Sequence, residues 1–266
     1  MTVLDRFKLD GRRALVTGGS RGLGLSMALA LAEAGADVAV SGRDAESLGR
    51  AANAIRSRGR QAWTLQGDMS KPVECEALCE QAVAEFGPID ILINNVGDRG
   101  LNIAIEDTPL ETWQHFVDLN LTHCFLATKI IGGAMIKRGQ GGAIINTASI
   151  SGMIANKGIA GRHYETTKAA VIHFTRCTAA DWAPHNIRVN AICPGLFMTD
   201  PNRAWSEKPG GHQDLSFGRP DGPRGRARGI GTAGGLPGVR CLVLRHRRGL
   251  RDRWRIYSVV MSEQRT

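Results

Sequence analysis

The chain has 266 residues, 42% of them hydrophobic and 22% charged, which suits one domain with a full apolar core and excludes a disordered or collagen-like chain. The net charge of +9 suggests nucleic-acid binding, but residues 219–266 alone hold 12 Arg against three acids, and the rest of the chain is balanced. No run of about 18 apolar residues marks a membrane span, and the opening MTVLDRFKLDGRR lacks the apolar core of a signal peptide.

Residues 14–19 (ALVTGG) read as a short apolar strand ending in glycines, followed by a helix over 23–36 that stops at Gly35. A strand at 37–43, an amphipathic helix at 45–59 and a strand at 61–68 come next. A helix at 73–87 and an Ile-rich strand at 89–97 continue the alternation. Thr108-Pro109-Leu110-Glu111 reads as a capping box with Pro at the first helical position, opening a long helix toward Ile131. A strand at 142–149, a helix from Tyr164 to Ala183 and a strand at 187–195 complete the pattern. Strands alternating with helices predict an α/β fold in one domain: a doubly wound parallel sheet of the Rossmann type, with ligands beyond the carboxyl ends of its strands.

Three motifs fall at such ends. Thr17-Gly18-Gly19-Ser20-Arg21-Gly22-Leu23-Gly24 joins a strand to a helix, where glycines permit a tight turn and the helix N-terminus offers N–H groups to a phosphate. At the end of the second strand, where a carboxylate would accept from a ribose 2′-hydroxyl, stand Ser41, Gly42 and Arg43, with Arg21 nearby. Two guanidinium groups suit a 2′-phosphate and favour NADP(H) over NAD(H); Asp44 becomes the competing acid if the strand runs one residue further. Tyr164 and Lys168 lie one helical turn apart, so an ammonium can lower the pKa of a phenol and fit it for proton transfer.

These motifs, with Asn94-Asn95-Val96-Gly97, Asn120, Ser149 and Pro194-Gly195, stand in one order and spacing that closely resembles the short-chain dehydrogenase/reductase family over roughly residues 7–205. The resemblance implies that Tyr164 is the general acid-base, Lys168 tunes it and binds the nicotinamide ribose, Ser149 bonds the substrate oxygen and Asn120 holds a relay water. For the cofactor it implies Gly18, Ser20, Arg21, Gly22, Leu23, Gly24 and Arg43 at the phosphates. Asp68 and Met69 flank the adenine, Asn95, Val96 and Gly97 line the middle, and Pro194, Gly195 and Thr199 contact the nicotinamide side. Val96 stands where the family has Ala. The serine has two candidates: Ser149 lies 15 residues before Tyr164, Ser151 lies 13 before it, and Gly152 favours Ser149. His163 reads as a surface or pocket-lining neighbour of the tyrosine.

The resemblance further implies an NADP(H)-dependent oxidoreductase interconverting a secondary alcohol and a carbonyl on a small substrate of the sugar-acid, polyol or oxoacyl type. It also implies a homotetramer, with no membrane partner and a substrate loop near 200–215. The alternatives are a non-catalytic NADP-binding protein and, less favoured, a basic-tail nucleic-acid binder. The six cysteines (Cys75, Cys79, Cys124, Cys177, Cys193, Cys241) form no CxxC pair, so they read as reduced cytoplasmic thiols and imply no metal site.

Residues 219–266 depart from this pattern: they are rich in Arg, contain no Lys and show little helical periodicity. With allowed codons, a one-base shift of Leu236 to Gly249 reads SLASDASSFVTGA, and the same shift of Asp221 to Gly229 ends in PEEELAG; both resemble the family's usual final segments. The sequence therefore reads as a catalytic domain over 1–218 followed by an out-of-frame or poorly ordered tail, with the last helix and edge strand missing or replaced.

Overall fold

The computed structural model describes residues 4–100, 102–156, 160–195 and 197. Six strands, β1 (Arg13–Val16), β2 (Asp37–Gly42), β3 (Ala62–Gln66), β4 (Ile91–Asn94), β5 (Gly142–Thr147) and β6 (Ile187–Ile192), form one parallel sheet in the order β3-β2-β1-β4-β5-β6. The doubly wound expectation holds. The central strands send apolar side chains to both faces because both sheet faces are covered, and all four residues of β4, Asn94 included, are buried. Strand order reverses between β1 and β4, so their carboxyl ends open a crevice at the switch point.

Helices α1 (Gly22–Glu33) and α2 (Ala45–Arg56) pack on one face through Met27, Leu31, Leu48 and Ile55 against Val16, Val40 and Ile93. Helices α3 (Pro72–Gln81) and α4 (Leu110–Arg138) cover the other through Cys75, Leu78, Leu126 and Ile131 against Leu15, Leu92 and Ile144. Helix α5 (Arg162–Trp182) joins that second layer, with Val171 and Ile172 against Ala148 and Ala191. Each fully buried aliphatic side chain contributes about 1.5–3 kcal/mol, and the parallel order puts the carboxyl ends of all six strands on the crevice side.

Several elements differ from their sequence reading. The capping box does not form. Helix α4 starts at Leu110, Pro109 is its cap residue, and Thr108 Oγ1 instead donates back to Ala104 O at 2.7 Å. Proline rigidity sets that boundary, with no side-chain cap bond. Helix α4 runs on to Arg138 and carries π turns at Asp118–Thr122 and Thr128–Gly132. It is long and apolar enough to cross a membrane, which the count of consecutive apolar residues missed, but its apolar face is spent on the sheet. The strands are shorter than read, because their last residues leave the ladder to form the crevice. Thr199, the 200–215 loop and the 219–266 tail lie outside the described residues.

Candidate active site

The glycine turn after β1 is built by backbone geometry. Gly18 (φ 63°) and Gly22 (φ 56°) occupy the left-handed region that side chains disfavour. A Cβ on Gly24 would stand 2.2 Å from Gly18 O and 2.5 Å from Asn95 Nδ2, so the helix start and the turn touch backbone to backbone. Asn95 locks this contact. Its Nδ2 donates to Thr17 O and Gly18 O, each at 3.2 Å, and its backbone N–H donates to Thr17 Oγ1 at 2.9 Å. The cap residue of α1, Arg21, makes no side-chain cap bond, and the first turn holds no acid. Its N–H groups and partial positive charge are therefore open to an anion, which fits a dinucleotide pyrophosphate.

At the end of β2 the ladder stops at Gly42. Asp44 caps α2 by accepting from Ser47 N at 2.8 Å, and that bond holds its carboxyl below the usual range. Arg43 is exposed and lies 4.0 Å from Asp68 Oδ2. Asp68 Oδ1 accepts from Ser70 N and Oγ at 3.0 and 2.7 Å. Met69 packs into the core beneath it.

Beneath the other half of the crevice runs a buried amide chain. Asn94 Nδ2 donates to Asn146 Oδ1 at 2.9 Å and to Thr128 Oγ1 at 3.0 Å, and Asn146 Nδ2 donates to Thr175 Oγ1 at 2.9 Å. It ties β4, β5, α4 and α5 together below the reacting groups, where an unmade bond would cost about 1–3 kcal/mol.

Tyr164 and Lys168 project from α5 into the crevice beside Ser149, which follows β5. Burial raises the Tyr164 phenol above its ordinary value, while the Ser149 hydroxyl and the Arg99 guanidinium act to lower it. Two cations flank the ring: Arg99 Cζ lies 5.2 Å and Lys168 Nζ 5.8 Å from its centroid. Lys168 Nζ donates to Thr147 O at 2.9 Å, and burial pushes its pKa down to about 8. A Cβ on Gly97 would crowd Lys168 Nζ at 2.7 Å, so glycine there leaves room for the lysine. Ser149 Oγ accepts from Ser151 N at 3.1 Å, whereas Ser151 Oγ accepts from Asn156 Nδ2 at 3.0 Å. Of the two serines, Ser149 is the one that acts to lower the Tyr164 phenol.

One cavity of about 1200 Å³ joins the glycine turn to this cluster. It is lined by Gly18, Ser20, Arg21, Gly22, Leu23, Gly24, Arg43, Asp68, Met69, Asn95, Val96, Gly97, Ser149, Tyr164, Lys168, Pro194 and Gly195. Asn120 stands just behind its wall, fully buried, with its amide on the backbone of Asp98 and Phe116.

Sequence reasoning missed a set of residues around the loop after β4. Asp98 and Arg99 line the cavity. His163 is neither surface nor lining: it is buried, stacked on Phe116 with ring centroids 4.1 Å apart, and its Nε2 lies 3.0 Å from Arg99 O. Glu165 is buried and shared by Asn156, Arg162 and, more distantly, Arg99. The available signal was a charged pair placed directly beyond a central parallel strand, where ligands of this architecture sit.

A doubly wound sheet with a phosphate-ready glycine turn and a Ser-Tyr-Lys cluster on one cavity defines an NAD(P)-dependent oxidoreductase. The family model for short chain dehydrogenase matches residues 12–210, and the chain belongs to the short-chain dehydrogenase/reductase family. Galactitol 2-dehydrogenase of Rhizobium johnstonii is 40% identical over 199 residues, covering 75% of this chain and 77% of that one. Gluconate 5-dehydrogenase of Gluconobacter oxydans is 38% identical over 199 residues, covering 74% and 75%. Among solved structures, a gluconate 5-dehydrogenase of Burkholderia cenocepacia in complex with NADP and tartrate superposes with a TM-score of 0.71 at 37% identity, covering 78% and 80%.

Proposed function

We propose that the chain is an NADP(H)-dependent dehydrogenase that interconverts a secondary alcohol and a ketone on a small polyol, sugar-acid or oxoacyl substrate. The observation that carries this reading is the continuity of one cavity from Arg21 and Arg43 to Tyr164, Ser149 and Lys168. Bound NADP supplies the hydride acceptor or donor. In oxidation Tyr164 Oη takes the substrate hydroxyl proton; in reduction it returns a proton to the carbonyl oxygen. Ser149 holds that oxygen, and Lys168 binds ribose hydroxyls and biases the phenol toward its anion. Arg43 and Arg21 on the cavity wall suit a 2′-phosphate, and Asp44, which also lines the cavity, has one carboxyl oxygen committed to capping α2. The NADP of the Burkholderia structure and the acids and polyols named in the relatives' activities agree with this choice.

The test is reduction of NADP+ and of NAD+ with gluconate, galactitol and sorbitol. Turnover lost in Tyr164→Phe and a preference for NADP+ that collapses in Arg43→Leu are expected. A larger kcat/KM with NAD+ would overturn the cofactor choice. NADPH binding without turnover on any substrate would favour a non-catalytic NADP-binding protein. Homotetramer assembly and a cytoplasmic location complete the proposal, tested by light scattering and by cell fractionation.

We further infer that residues 219–266 come from a one-base slip near Arg219–Pro220. The family match ending at residue 210 and the Arg-rich, Lys-free composition beyond it support this. Resequencing the gene and mapping C-terminal peptides by mass spectrometry test it. A continuous frame with codons incompatible with the shifted reading would refute it.

A further inference from the structure

Arg99 is a partly buried charge on the cavity wall. Its Nε and Nη2 are buried and have no hydrogen-bond partner. The nearest acid oxygen, Glu165 Oε1, stands 3.8 Å from Nη2, too far for a hydrogen bond. That carboxylate is already engaged: Oε1 accepts from Asn156 N at 3.1 Å and Nδ2 at 2.7 Å, and Oε2 accepts from Arg162 at 2.5 Å. One acid therefore serves two arginines, and Arg99 is the one left without a bond. That Nε–Nη2 edge is closed to solvent and turned toward Glu165, but the side chain as a whole is 22% exposed and lines the cavity, so an anion there meets the guanidinium away from the closed edge.

The position of the loop that carries Arg99 is held from behind. Asp98 is bonded through N–H and carbonyl to Asn120, each at 3.0 Å, and the Arg99 carbonyl faces His163 Nε2. Arg99 Cζ lies 5.2 Å from the centre of the Tyr164 ring, so an anion on the guanidinium is close to the carbon whose oxygen Tyr164 serves. We infer that Arg99 recognises a carboxylate on the substrate and directs the enzyme to hydroxy acids and their keto acids in preference to uncharged polyols. This inference rests on the dehydrogenase reading above and narrows its substrate class.

The experiment uses D-gluconate as the anionic probe and sorbitol as its uncharged counterpart, with the full chain saturated in NADP+. Thermal shift and turnover are measured for the wild type, Arg99→Met, Arg99→Gln and Arg99→Lys. The shift produced by NADPH alone reports whether each variant is folded, and the Gln and Lys variants serve if Met unfolds the loop. The expected result is a saturable shift with gluconate in the wild type that needs at least tenfold more ligand in the neutral variants and is partly restored by Lys. The gluconate-to-sorbitol ratio of kcat/KM falls at least tenfold in parallel. Equal response to both probes in the wild type overturns the inference. So does an equal loss for both in the neutral variants, or a displaced pH profile with an unchanged ratio, since Arg99 would then act on Tyr164 alone. Arg99-dependent gluconate binding without turnover would sink the dehydrogenase reading and leave carboxylate recognition standing; turnover without Arg99 dependence would do the reverse.

Discussion

Asn120 and Asp98 are bonded in both directions: Asn120 Oδ1 accepts from Asp98 N and Nδ2 donates to Asp98 O, each at 3.0 Å. The second N–H of the amide goes to Phe116 O at 3.1 Å. Both donors are therefore spent on backbone, and a relay water can be met by this side chain only through the remaining lone pair of Oδ1. Asn120→Ala is expected to leave the part-buried Asp98 N–H and carbonyl without these bonds, costing about 1–3 kcal/mol, and to loosen the loop that carries Arg99. Asn120→Asp keeps one bond but sets an oxygen against the Asp98 and Phe116 carbonyls. It should unfold more readily than Asn120→Ala above the pH at which the new carboxyl ionises. Urea unfolding of the two variants at pH 5 and pH 8 checks this; equal stability of both at pH 8 would contradict it.

The proton-transfer role proposed for Tyr164 sets a pH dependence of definite direction. Alcohol oxidation needs the phenol as a base, so its rate rises with pH through the Tyr164 pKa, and carbonyl reduction needs the protonated phenol and falls through the same value. Burial lifts that pKa above the ordinary phenol value in the cofactor-free protein, and the Ser149 hydroxyl works against it. Ser149→Ala should move the oxidation limb to higher pH and lower kcat roughly 100- to 10,000-fold at neutral pH, the range for a lost proton-transfer contact. A Ser149→Ala enzyme with an unmoved limb would show that the hydroxyl orients substrate without tuning the phenol. Ser151→Ala should leave the limb in place, because its hydroxyl is held by Asn156.

The glycine turn gives a prediction of a purely steric kind. Gly24→Ala would drive a methyl into Gly18 O at 2.2 Å, with Asn95 Nδ2 at 2.5 Å. Backbone cannot yield as a side-chain end does, so the turn must open. A loss of about 1–3 kcal/mol in stability is expected, together with at least tenfold weaker NADPH binding. Gly49→Ala, in α2 with open space around it, should instead stabilise by up to about 1 kcal/mol. Thermal denaturation and NADPH fluorescence titration separate the two; a Gly24→Ala protein with wild-type affinity would mean the turn tolerates the shift.

What could be read from the sequence was chemistry held on a single element or at a strand end. Gly18 and Gly22 announce a left-handed turn, Tyr164 and Lys168 share one helix face, and the strand-helix alternation dictates a parallel sheet. What could not be read was contact between elements. Arg99 meets Tyr164 and Glu165, and His163 meets Phe116, only because the loop after β4 folds against α4 and α5; no periodicity encodes such pairs. The π turns of α4 were hidden for a related reason, since they depend on how the helix seats on the sheet rather than on local propensity. The capping-box misreading is local. Thr108 Oγ1 could accept from a helix N–H or donate back to Ala104 O, and the second bond forms.

Lys168 shows that the site is held at a cost to stability. Its ammonium is buried, and its pKa falls to about 8 from the ordinary 10.5. Between those two values the unfolded chain binds a proton that the folded chain has released, so stability rises as pH climbs from about 8 to 10.5. Below pH 8 the full penalty of burying the charge is present, on the order of 1–3 kcal/mol. Lys168→Met is therefore expected to abolish turnover yet raise the unfolding midpoint at pH 7, with the gain shrinking toward pH 10. The lost bond to the Thr147 carbonyl offsets part of this gain. Unfolding in urea at the two pH values decides it: a variant less stable than wild type at pH 7, or one whose difference does not change with pH, would show that the buried ammonium is compensated in the folded state.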